Sequence, residues 1–279
     1  MILVQENWFL IAIGIIWIIG AVVQDLRRRE VDNIWNFSLI GIALAYRLAV
    51  SVFSGNYWFV INGFLGFGIF LLLGNLFYYS RLFAGGDAKL IIALGTILPM
   101  SYDWIANFKI FGMFVFVFML GGSVYSLLYS CFLVAENFSG FNLQFMKYFK
   151  KNFRWFIGVL VFSLVWAIFS FFIGFAELML ISLVVLLFPV LLVFSKSVEE
   201  SCLIKTLDSK NVTEGDWLYQ DVRIGNKVIK PNWEGISGEE LRLIRKTDKK
   251  ILVKYGIPFT PSFLIGFAGV LVLSWYGWF

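Results

Sequence analysis

Apolar residues along this chain do not recur at strand or amphipathic-helix spacing. They form nearly unbroken runs at 7–23, 34–53, 58–79, 88–105, 108–134, 155–174, 177–195 and 259–279, separated by short polar stretches. Each approaches the ~20 residues that a helix needs to cross ~30 Å of hydrocarbon. A helix that is apolar all round is buried in lipid or deep protein rather than laid on a core by one face. The pattern predicts an all-α polytopic membrane protein of about six to eight transmembrane helices. The fourth run is the weakest, because Pro99 and Asp103 lie near its far end, and only a tight turn at 174–177 separates the sixth from the seventh.

One long polar segment, residues 196–258, interrupts the pattern and mixes both charge signs. Within it, Trp217–Ile224 and Lys227–Lys230 flank Gly225-Asn226, a pair suited to a tight β-hairpin turn. Ser237 and Glu240 have the spacing of a capping box that opens a helix, which Gly256 and Pro258 would close. The expected organisation is a membrane helical domain (1–195), a small cytoplasmic α+β domain (196–258) and a last transmembrane helix (259–279).

Composition sharpens this picture. The 279 residues are 60% hydrophobic and 15% charged, against about 25% charged in soluble domains. A soluble enzyme, a secreted disulfide scaffold and a disordered chain are excluded. There is no histidine, and only two cysteines, Cys131 and Cys202. Ser-His-Asp and Cys-His catalysis, His-based metal sites and a four-cysteine zinc site are thereby removed, so neither metal nor cofactor is expected. The first apolar run lacks the basic flank and small-residue exit of a cleavable signal peptide.

Basic residues orient the chain by the positive-inside rule. With the N-terminus outside, the inward loops are 24–33, 80–87, 135–154 and 196–258, and only Arg47 and Lys109 fall toward the other side. Arg47, near the outer end of the second span, is expected to snorkel outward. The positive balance therefore reflects membrane topology and not nucleic-acid binding. Trp275, Tyr276, Trp278 and Phe279 form an interfacial aromatic cluster on the outer side.

Acids close to a membrane span are costly, and they usually serve a function. Asp25 follows the first run and Asp87 opens the fourth, directly after Gly85-Gly86. The topology places both at one depth on the cytoplasmic side. Taken singly, each is an ordinary solvated helix-end acid. Together they can share one proton, since like charges a few ångströms apart do not both ionise easily. Such a pair activates water with one member and supports an oxyanion with the other. Glu30, Asp32 and Glu136 read as solvated, Arg27–Arg29 as a membrane anchor and Cys131 as an inert packing residue.

The stretch from Asp25 to Asn33, Asp-Leu-Arg-Arg-Arg-Glu-Val-Asp-Asn, resembles the D-x-x-x-R-x-I-P-N loop of type IV prepilin peptidases and archaeal preflagellin peptidases. Leu82 to Leu90 resembles their G-x-G-D-x-K-L motif. Gly256 to Phe263 is similar to the G-I-P-F-x-P-S-F approach to the last helix in archaeal members. Glu214–Leu218 and Trp233–Ser237 resemble the archaeal cytoplasmic extension. Ala84 stands where the first motif glycine would be, and Asp32 replaces the proline before Asn33. The four-cysteine domain of bacterial relatives is absent, so the resemblance implies a peptidase without methylation of the new N-terminus. It implies a membrane aspartyl endopeptidase that removes the basic leader of pilin- or archaellin-like precursors at the cytoplasmic face. Asp25 and Asp87 would be catalytic, with Gly85, Gly86, Lys89 and Asn33 lining the substrate. Two other readings compete. A presenilin- or signal-peptide-peptidase-like intramembrane protease would carry its acids inside helices and add a P-A-L motif, which this chain lacks. A transporter or assembly protein would place its acids at mid-bilayer.

Overall fold

A computed structural model describes residues 6–225 and 227–278. It divides the chain into two compact units, Met1–Leu127 with Pro258–Phe279, and Leu128–Ile257. Its helices, in chain order, are α1 (Asn7–Arg28), α2 (Asn33–Ser54), α3 (Trp58–Tyr79), α4 (Gly85–Leu94), α5 (Trp104–Glu136), α6 (Phe138–Lys151), α7 (Phe153–Ile173), α8 (Ala176–Val198), α9 (Gly238–Ile244) and α10 (Pro261–Trp275). Among the described residues six helices are long and apolar enough to cross a membrane, α8 running on through a π-turn that ends at Leu203. The chain is a multi-pass, all-α membrane protein.

The fourth run departs from the expected uniform span. Its helix stops at Leu94 after 10 residues, about 15 Å of rise. The backbone continues through a turn at Gly95–Ile97 and an extended stretch before α5. Lipid does not tolerate such open backbone, which persists at membrane depth only when protein satisfies it. Arg47 does so from α2. Its Nε donates to Thr96 O (2.8 Å), and its terminal nitrogens donate to Ile97 O (3.2 Å), Pro99 O (2.7 Å) and Phe59 O (3.0 Å). Its side chain, expected to snorkel, is fully buried, and its guanidinium lies 4.6 Å from the Phe59 ring centroid. At the same end of the bundle, Asn7 Nδ2 donates to Met100 O (2.7 Å) and Asn62 Nδ2 to Ser101 O (3.2 Å).

Small residues let α4 approach α3. A Cβ on Gly66 would lie 2.3 Å from Gly95 O, and one on Gly74 would lie 2.5 Å from the Ile92 side chain. Close backbone approach of this kind replaces the hydrophobic driving force that lipid cannot supply. Phenylalanine rings fill the rest of the first unit. Phe118 stacks on Phe114 (5.8 Å between centroids) and meets Phe263 at 4.5 Å. Between α1 and α2, Trp17 and Trp35 stack at 5.1 Å, and each indole N–H donates to the other's carbonyl.

In the second unit, α6 occupies the stretch expected as an inward loop, with Phe141, Phe145 and Phe149 half-buried at helical spacing. Gly174, in the left-handed region at φ 81°, closes α7 and permits the tight turn into α8. Strands β1 (Ile204–Asp208), β2 (Trp217–Leu218), β3 (Val222–Ile224), β4 (Lys227–Ile229) and β5 (Lys250–Lys254) follow. They form an antiparallel sheet ordered β1-β5-β2 and a separate β3-β4 hairpin. The hairpin pairs Ile224 with Lys227; Asn226, half of its expected turn pair, lies outside the described residues, as does Phe279. The capping box opens α9 as expected, with Ser237 N–H donating to Glu240 Oε2 (2.9 Å). The helix ends at Ile244 rather than near Gly256, because Lys-Ile-Leu-Val-Lys alternates and is taken up by the sheet as β5. The polar segment expected as a cytoplasmic domain falls, apart from Pro258, within this second unit. Cys131, expected as a packing residue, is exposed.

Candidate active site

Asp25 does not sit in a loop. α1 runs on to Arg28, and Arg29 closes it at φ 59° with its N–H on Asp25 O. This extra turn draws the Asp25 carboxyl into the first unit, where the residue is 7% exposed. Its Oδ2 accepts two hydrogen bonds from Thr260, from the backbone N–H (3.1 Å) and the hydroxyl (2.9 Å).

Asp87 arrives by a different route. After α3, Arg81 adopts a left-handed turn (φ 61°), and the N–H of Leu82 returns to Phe77 O at 3.0 Å. Phe83 folds onto Phe77 with centroids 4.8 Å apart. Ala84 is then the N-cap of α4, and Asp87 falls in its first turn, where the helix dipole favours a carboxylate. Ala84 has φ −68°, an ordinary value for any L-residue, so the missing motif glycine costs the backbone nothing. Asp25 and Asp87 both belong to the first unit, one in the last turn of α1 and the other in the first turn of α4. Among the described residues no side chain hydrogen-bonds the Asp87 carboxyl.

Of the two glycines before Asp87, only Gly86 faces the α1–α2 connection. A Cβ on Gly86 would meet Val31 N at 3.7 Å and Val31 Cβ at 3.8 Å, whereas one on Gly85 would meet only the Tyr78 ring, at 3.8 Å. Lys89 and Asn33, expected to line the substrate, bond each other, Nζ to Oδ1 at 2.6 Å. Asp32 makes an exposed ion pair with Arg28 at 2.9 Å, and its N–H donates to Gln24 Oε1 at 3.0 Å. A proline there would forgo that second bond. We expect Gly86→Ala to keep most activity, since its methyl makes ordinary contact. Gly86→Leu must displace buried Val31, an overpacking expected to cost about 1–3 kcal/mol of stability. An unchanged thermal unfolding midpoint of the Leu variant contradicts this geometry.

Two residues of this neighbourhood were not anticipated. Asn36 is fully buried and donates to Gly86 O at 3.4 Å; its signal was a polar residue one helical turn after Asn33 in an apolar run. Thr260 occupies the variable position of the motif before α10. Among the described residues no group of three or more His, Cys, Asp or Glu side chains could hold a metal ion.

Residues 12–136 match the model of the type IV leader peptidase family. A preflagellin peptidase of Methanococcus maripaludis is 37% identical over 89 residues, which is 31% of this chain and 37% of that protein. Those of Methanococcus voltae and Methanocaldococcus jannaschii are 31% identical over 90 residues and 32% over 87, covering 32% and 31% of this chain. The chain thus spans 37% of the length of each of these curated relatives. No solved structure matches it.

Proposed function

We infer the activity of this chain from the type IV leader peptidase family, whose model matches residues 12–136, and from the placement of its two acids. We propose that it is a membrane aspartyl endopeptidase. It removes the short basic leader of pilin- or archaellin-like precursors at the cytoplasmic membrane face, with Asp25 and Asp87 as the catalytic pair. The observation that carries this reading is the placement of two carboxyls within one unit, in the last turn of α1 and the first turn of α4, with two glycines directly before the second.

The pair holds one proton between its members. The ionised carboxylate takes a proton from water as the water oxygen bonds to the scissile carbonyl carbon. The protonated carboxyl gives its proton to the carbonyl oxygen, so a neutral tetrahedral diol forms. On collapse, the proton gained from water passes to the leaving nitrogen and the C–N bond breaks. One hydroxyl of the diol returns its proton to the other carboxyl. The products are the leader's carboxylic acid and the free amine of the mature chain, and the pair again holds one proton. Gly85 and Gly86 leave room for an extended substrate backbone, favouring a small residue before the cut. The precursor's apolar helix lies in the bilayer, which sets the scissile bond at the interface.

The test is cleavage of a defined precursor by the purified protein, with a basic leader, a small residue at the cut and an apolar helix after it. Product masses should place the cut between leader and helix, and the rate should survive EDTA. Cleavage that follows the scissile bond into the bilayer centre would support the intramembrane-protease reading. A chain that binds the precursor without cutting it would support an assembly role.

A further inference from the structure

Thr260 is the N-cap of α10 and is fully buried. Threonine at an N-cap ordinarily turns its side-chain oxygen onto an N–H of its own first turn. Here it makes no such bond. Its backbone has helical angles, φ −58° and ψ −29°, although the following Pro261 disfavours them. Both donors, hydroxyl and N–H, go instead to one oxygen of Asp25, 235 positions away. The N-terminus of α10 thus faces a carboxylate, the arrangement in which a helix stabilises an anion. Asp87 has no comparable support among the described residues.

We propose that Thr260 is a positioning residue of the aspartyl pair, tying down Oδ2 of Asp25 so that Oδ1 is the oxygen that exchanges protons with water and with Asp87. This rests on the catalytic reading of the two aspartates. An oxygen that already accepts two hydrogen bonds is a poor site for a proton, so any proton on Asp25 resides on Oδ1. The carboxyl also loses its freedom to rotate about its last side-chain bond, and reactant placement of that kind bears on rate more than on affinity. The variable position of the G-I-P-F-x-P-S-F stretch thereby acquires a task, with prolines at 258 and 261 holding the backbone that presents it.

The experiment compares Thr260→Val, Thr260→Ser and Asp25→Asn in full-length protein, measuring kcat and KM on one precursor together with thermal unfolding. Valine keeps the branched shape and the backbone N–H but lacks the hydroxyl. It should lower kcat about 10- to 100-fold, the scale of one hydrogen bond to a charged group. KM should stay within about twofold, and serine should restore the rate. A Val variant with wild-type kcat beside an inactive Asp25→Asn variant would overturn the role of Thr260 alone. An active Asp25→Asn variant would overturn the catalytic pair itself. A Val variant that loses kcat and thermal stability together, with no rescue by serine, would make Thr260 a packing residue and also overturn the proposal.

Discussion

Asp25→Asn and Asp87→Asn should each reduce precursor cleavage by about 10⁴-fold or more, since on the proposed mechanism each deletes one of two obligatory proton-transfer roles. Asparagine conserves the shape of the side chain, and at position 25 its carbonyl oxygen can still accept from Thr260. Expression and membrane insertion should therefore be unchanged. The double variant should be no slower than either single one, because groups that act as a unit fail as a unit. Asp32→Asn is the control. Its carboxylate pairs with Arg28 where both side chains are more than half exposed, 53% and 59%, and such pairs contribute little. Single-turnover assays read by mass spectrometry give all four rates. Cleavage within about tenfold of wild type by either single dyad variant contradicts general acid–base roles for the pair.

Loss of Arg47 is the largest expected effect on folding. Arg47→Met removes the donors for Phe59, Thr96, Ile97 and Pro99 carbonyls at once. Buried acceptors left unpaired cost about 1–3 kcal/mol each, so the total destabilisation is on the order of several kcal/mol. Lysine does not substitute, because its compact ammonium cannot span four carbonyls as a planar guanidinium does. We expect Arg47→Met to accumulate poorly and, in detergent, to unfold well below the wild type. α4 carries Asp87 at the opposite end from this anchor, so any surviving protein should also cleave slowly. A variant with an unchanged unfolding midpoint would mean that the broken end of α4 is held by something other than this side chain.

The long apolar runs made most of the architecture legible, because lipid demands both length and uniform hydrophobicity. What they concealed has a common physical cause. Gly95–Met100 reads as apolar as a helix interior, so hydropathy carries the fourth run through a point where the backbone leaves the helix. The compensating residue, Arg47, lies on another run and looks like a displaced surface charge. In the second unit, the basic residues of Lys147–Arg154 read as a loop and mask the Phe141, Phe145 and Phe149 spacing that makes α6. The start of α9 was readable from its capping box. Its end was not, because Gly256 and Pro258 are louder punctuation than the alternation that makes β5. Near the aspartates, the motif residues were readable, but the sequence could not reveal that Lys89 and Asn33 engage each other, or that Asp25 takes its support from position 260.

That last dependence has a consequence for biosynthesis. α1 is made before α10 and brings Asp25 with it, whereas the hydrogen-bonding partner of Asp25 is synthesised 235 residues later. Until α10 emerges and inserts, the Asp25 carboxyl lacks both donors, and the aspartates of a nascent chain are not yet set. The pair proposed above is therefore completed only once α10 has been made, and a nascent chain that has not reached position 260 lacks this support. On the proposed catalytic reading, the distance along the chain between the acid and its support acts as a timer on when the pair is complete.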